Sequence, residues 1–168
     1  MTLVVPFDGS KLAEAALVRA TAFGSVFDED VLAVSVIPKG NPKYAREHGW
    51  LEQNEEFEME TIVATLHEQV TDLSPSADFR HNVVGRYATA GSIAKQVRKI
   101  AQKEDASMVF IGSENAGRLA TTVSSVGSTV ATAQAYDVVI VRDCTPSKIA
   151  KIRNASSQEA KSDFYIPE

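Results

Sequence analysis

The chain carries a single cysteine, Cys144, among its 168 residues, so it forms no internal disulfide and is not a disulfide-stapled secreted scaffold. Histidine is also scarce. His48, His67 and His81 are dispersed, without the close spacing of a metal-ligand set. No window approaches about 18 uninterrupted apolar residues, which argues against a membrane-spanning helix. The apolar start is broken at Asp8, and neither a basic region nor a small-residue cleavage site follows, so cytoplasmic residence is the expectation. Basic residues are outnumbered, 17 Lys and Arg against 22 Asp and Glu, and the formal charge of -5 gives no general attraction to nucleic acid. What remains is an ordinary folding composition, 44% hydrophobic and 23% charged, at a length suited to one domain rather than two.

Hydrophobic periodicity orders the chain. Residues 3–7 (LVVPF) read as a buried strand closed by the turn Asp8-Gly9-Ser10. From Ser10 the period becomes helical, with Leu12, Ala13, Ala16, Leu17, Ala20 and Phe23 on one face and Gly24 as the expected stop. A second strand is expected at 31–37, then an irregular stretch opened by Pro38 and Gly40-Asn41-Pro42. A long helix is expected over 51–73, with its stripe at Met59, Ile62, Val63, Leu66, Val70 and Leu73. Its acidic first half, Glu55, Glu56, Glu58 and Glu60, reads as a solvated face. A third strand near 79–84, a helix to about Glu104, a fourth strand at 108–111, a helix at 124–134 and a last strand at 138–141 complete the order. Alternating strands and helices, with strands too apolar for a wet face, predict an α/β fold: a parallel sheet covered by helices on both sides. The domain is expected to occupy residues 1–142. Residues 143–168 form an extension with a short helix near 147–156, the rest serving flexibility or oligomer contacts.

In such a sheet a ligand sits beyond the carboxyl ends of the strands. Asp8 and Gly9 follow strand one, Gly112 and Ser113 follow strand four, and Gly127-Ser128 lies near the start of the fourth long helix. Glycine admits close approach, and a helix N-terminus offers N–H donors to phosphate. The same residues also suit plain turns and caps. A Walker A loop fails: Arg118 and Leu119 stand where Lys and Ser or Thr belong, and a Rossmann fingerprint is absent after strand one.

Three stretches in order, 4–10 (VVPFDGS), Gly85 with the helix carrying Ile93 and Ala94, and 108–113 (MVFIGS) followed by Gly127-Ser128, resemble the universal stress protein family. The closing 136–142 (YDVVIVR) is similar to that family's last strand. The resemblance implies an open five-stranded parallel sheet of order 3-2-1-4-5 and a homodimer formed through the last strand. It also implies a site for ATP or a related adenine nucleotide, with magnesium as an accompanying ion. By the same resemblance Pro6 and Asp8 supply the first part of the site, Val36 lines the adenine pocket, and Ile111 is the apolar neighbour before a loop whose first glycine is Gly112 and whose tail starts at Gly117. Gly127 and Ser128 meet the phosphates, with Thr129 immediately behind them. The loop departs from the family pattern. Asn115 replaces a glycine, Glu114 brings negative charge, and four residues rather than two separate Gly112 from Gly117, although Gly117 and Gly127 keep the nine-residue gap.

Catalysis has little support in the residues. No base and nucleophile are paired among Asp8, Ser113, Ser124, Ser125 and Ser128, so at most slow ATP hydrolysis is expected. Tyr44 and Trp50 stand either over the pocket or against the second long helix. Cys144 reads as an incidental thiol, and the tail as a dimer or protein-partner contact. The readings that stay open are a nucleotide-binding stress-response regulator, a nucleotide-free dimeric interaction module on the same fold, and a slow ATP hydrolase.

Overall fold

The computed structural model describes residues 1–112 and 136–143. Five strands, β1 (Thr2–Pro6), β2 (Asp30–Pro38), β3 (Asp78–Val84), β4 (Ala106–Gly112) and β5 (Asp137–Val141), form one sheet in the order β3-β2-β1-β4-β5. Every neighbouring pair is parallel. This is the expected fold. Four helices are described: α1 (Lys11–Phe27), α2 (Pro42–Glu47), α3 (Met59–Leu73) and α4 (Ala90–Lys103). The expected helices at 124–134 and 147–156, Gly117, Gly127, Ser128, Thr129 and Cys144 lie outside the described residues.

Alternation along the strands feeds two cores. Leu3, Val5, Phe7, Ala33, Ile37 and Phe110 face α1 and α3, whose Leu17, Ala20, Ile62, Leu66 and Val70 cover them. Val4, Leu32, Val34, Val36, Val109 and Ile111 face α4 and its Ile93, Val97 and Ile100. The sheet is therefore dry on both sides at its centre, as the apolar runs of β1 and β2 require.

Four local expectations are corrected. Helix α1 does not stop at Gly24 but continues to Phe27, ending where Asp28 turns left-handed at φ 55°. Gly24 is a packing position instead: a Cβ there would lie 2.7 Å from the Glu29 carbonyl oxygen. The stretch after β2 is not wholly irregular, because Asn41 accepts the Tyr44 N–H and caps α2, with Pro42 in its first turn. Helix α3 begins at Met59 rather than 51. Trp50 and Leu51 are both buried, and 52–56 offer nothing apolar to continue a helical stripe from them. Glu55, Glu56 and Glu58 are exposed as expected, but ahead of the helix. Finally, β3 is not dry. As an edge strand it is exposed on Asp78 and Arg80 of one face and on His81 and Val83 of the other, with Arg80 paired to Glu104.

Among the described residues no helix is long and apolar enough to cross a membrane.

Candidate functional site

The crest of the sheet, where its strands end, is organised around the exit from β1. Pro6 is half-buried and aligned with Val34 of β2. The Phe7 N–H then donates to the Val34 carbonyl at 2.8 Å. The Phe7 carbonyl accepts the hydroxyl of fully buried Ser35 at 2.6 Å. Beyond Phe7 the chain leaves the sheet in a short turn. One carboxylate oxygen of Asp8, Oδ1, accepts the Ser10 N–H at 2.9 Å, Gly9 takes φ +79°, and Ser10 Oγ caps α1 by accepting the Ala13 N–H. Among the described residues no hydrogen bond occupies the second oxygen of Asp8. A half-buried carboxylate with one free oxygen can accept a hydroxyl or amine proton from a ligand.

A strap between β2 and α3 closes one flank. Its start is tied to the exit of β3: the Lys39 N–H donates to the Val84 carbonyl, and Asn41 Nδ2 to the Arg86 carbonyl at 2.8 Å. Its end is tied to the exit of β1, where Trp50 Nε1 donates to the Asp8 carbonyl at 2.6 Å. Between the ties Tyr44 stacks on His48, ring centres 3.9 Å apart, and lies 5.5 Å from the Trp50 ring. Tyr44 packs against both cores, which places it over the crest rather than on either face. Burial, then the charges of Asp8 and Glu47, push its hydroxyl up to about 12. Sequence alone left two places for the pair. Trp50 packs with α3 residues in the core that contains Leu66, and Tyr44 bridges to the crest.

The remaining expected residues divide. Val36, 8% exposed, and Ile111, 3% exposed, belong to the core on the α4 side, near the ends of β2 and β4. Pro6, Asp8, Val36 and Ile111 are thus gathered at one end of the three central strands. Gly112 ends β4, but its bare side is turned to α1. A Cβ there would lie 2.3 Å from the Leu12 carbonyl carbon and oxygen. Two participants escaped sequence reading. Ser35, the one polar residue inside the apolar run of β2, was legible as an anomaly. Gln69, three residues after Leu66 and seven after Ile62, is a polar residue at the edge of the apolar stripe of α3, a signal left unread, and its Oε1 is buried beside the turn.

Among the described residues no three His, Cys, Asp or Glu side chains gather to hold a metal ion.

The sequence matches no curated protein significantly. Solved structures resemble it in fold. A universal stress protein in complex with cAMP is 21% identical, with 84% of this chain covering 96% of that one at a TM-score of 0.55. A hypothetical protein whose biochemical function was assigned from its structure is also 21% identical, with 84% and 95% covered and a TM-score of 0.56. The universal stress protein UspA from Lactobacillus plantarum is 13% identical, with 84% and 97% covered and a TM-score of 0.51. The profile described as the universal stress protein family matches residues 1–142, and on that match the chain belongs to this family.

Proposed function

We propose that the protein binds an adenine nucleotide, ATP or a close relative, at the crest beside Asp8, and that binding alters its contacts with other proteins rather than driving rapid chemistry. The observation that carries this reading is the gathering of Pro6, Asp8, Val36 and Ile111 at the ends of three adjacent strands, with one Asp8 oxygen unengaged among the described residues. Apolar residues suit a flat base, and a carboxylate oxygen suits ribose hydroxyls. Family membership and the fold it shares with a cAMP-bound universal stress protein support the adenine class. Gly117, Gly127, Ser128 and Thr129 are proposed to meet the phosphates, with magnesium arriving alongside them. A homodimer through β5, an edge strand, is the proposed assembly, and the cytoplasm the proposed compartment.

A second reading has its own observation. Gly112 is bare because α1 packs on it, so that glycine is needed even in a protein without nucleotide. Together with Glu114 and Asn115 this favours a nucleotide-free interaction module on the same fold.

Isothermal titration of the full chain with magnesium ATP and with cAMP separates the two. Saturable binding that is lost in folded Asp8→Ala supports the nucleotide site. No heat with either nucleotide, after removal of any that co-purified, supports the module.

A further inference from the structure

We infer that Trp50 is a positioning residue of the proposed nucleotide site, holding the Asp8–Gly9 peptide in the orientation that presents Asp8 and the Gly9 N–H to the ligand. The inference rests on the reading of the crest as a nucleotide site.

The indole N–H is a donor only, and a buried tryptophan needs an acceptor for it. Trp50 is 8% exposed, and its N–H goes to the Asp8 carbonyl at 2.6 Å. Another acceptor stands nearby. Among the described residues Gln69 Oε1 is buried without a hydrogen-bond partner, and a Cβ on Gly9 would lie 2.9 Å from it and 3.7 Å from Trp50 Nε1. With both acceptors beside the turn, it is the backbone carbonyl that holds the indole proton.

That choice fixes a peptide which its own sequence leaves free. Glycine adopts positive and negative φ with similar ease, so the peptide joining Asp8 to Gly9 can rotate at little local cost. In a trans peptide the carbonyl and the following N–H point in opposite directions. With the Asp8 carbonyl drawn towards Trp50 on the α3 side, the Gly9 N–H is directed away from α3. Asp8 Oδ1 remains on the Ser10 N–H, and among the described residues nothing engages its other oxygen. Without the indole, the carbonyl loses its partner, and the turn gains a second orientation that spoils both donor and acceptor. The strap that carries Trp50 is itself anchored to the exit of β3 through Asn41, so the lock is not a loose side chain.

Trp50 is the single tryptophan, so its indole N–H gives one resonance and its ring the only indole emission. The test titrates the full-length protein with cAMP and with magnesium ATP, following that resonance and calorimetric heat together, in wild type and in Trp50→Phe. The expected result has three parts. The wild-type indole resonance moves with the same midpoint as the heat. Trp50→Phe, with its unfolding midpoint in urea showing it folded, binds roughly tenfold more weakly. Asp8→Ala abolishes both signals. A wild type that binds while its indole resonance stays still overturns the inference and leaves the nucleotide site standing. This holds even where Trp50→Phe fails to fold. Equal binding by folded Trp50→Phe does the same. A wild type that binds neither nucleotide overturns the site and the inference with it.

Discussion

Gly9 and Gly112 both follow a central strand, yet the fold needs them for different reasons. Gly9 is required by conformation: its φ is +79°, and the nearest atom to a Cβ would be the end of the Gln69 side chain at 2.9 Å. Gly112 has no such angle and is required by space, because the backbone of Leu12 and Ala13 passes within 2.3 to 2.6 Å of where a Cβ would stand. A flexible side chain can move aside, whereas the first turn of a helix cannot. A glycine at the end of a strand is therefore not by itself a sign of ligand approach. At Gly112 the close neighbour is α1, and at Gly9 it is the face opposite the open side of the turn.

The sharpest way to break this contrast is substitution at Gly112. Gly112→Ala forces backbone apart, so a loss of about 3 kcal/mol or more is expected, read from the urea midpoint. Gly112→Asn is no better, since backbone angle is not the difficulty. A loss below about 1 kcal/mol would show that α1 can shift and that the packing account is wrong. Gly9→Ala is expected to cost about 1–2 kcal/mol, the penalty of an L-residue in the left-handed region. Gly9→Asn should recover part of that, because asparagine tolerates the angle. Equal losses for Ala and Asn at position 9 would mean that Gln69, not φ, decides.

The same contrast explains what the sequence could reveal. The parallel sheet and its two-sided core follow from the long apolar runs of β1 and β2 and the helical stripes between strands, because burial on both faces leaves a parallel sheet as the natural solution, whereas the strand order came only with the family resemblance. The turn Asp8-Gly9-Ser10 was equally legible, since each residue acts within three positions of itself. Relations across long separations were not. The Trp50 bond to Asp8 spans 42 residues, and Ser35 to Phe7 spans 28. Neither partner can be read from a local pattern, although Ser35 itself stands out inside an apolar run. The start of α3 was misplaced for a related reason: glutamates are good helix formers, but Trp50 and Leu51 are held in the core ahead of them. The role of Gly112 was hidden because spacing to Gly117 cannot report the distance to Leu12.

A smaller effect is expected at the turn's last residue. Ser10→Ala removes the side-chain acceptor for the Ala13 N–H and should cost about 1 kcal/mol, again read from the urea midpoint. It leaves Gly9 and Gly112 untouched. It therefore separates the cap from the angle: if Ser10→Ala costs as much as Gly9→Ala, the turn's stability lies in capping, and the conformational role of Gly9 is overstated.

The finest probe of the β1 side is alkaline titration of Tyr44, whose hydroxyl is raised from 10.0 to about 12, by burial first and by Asp8 and Glu47 after it. The folded state holds this proton more tightly than the unfolded chain does. Its stability contribution is therefore complete below the unfolded value of 10.0 and is lost as pH rises through the folded value of about 12. Between those limits wild type should lose stability relative to Tyr44→Phe, while below them the pH dependences of the two should run parallel. Phenolate absorbance assigns the step, being the component missing in the variant. Asp8→Asn should lower the Tyr44 value without restoring 10.0, since burial remains the larger cause. A full return to the ordinary value would make charge the dominant cause and place the phenol in wetter surroundings than its packing against both cores implies. Gly112→Ala lies on the β4 side, and in any folded fraction it should leave this titration where it is. A shift there would mean that the two strand exits are mechanically linked through α1, and the contrast between them would fail.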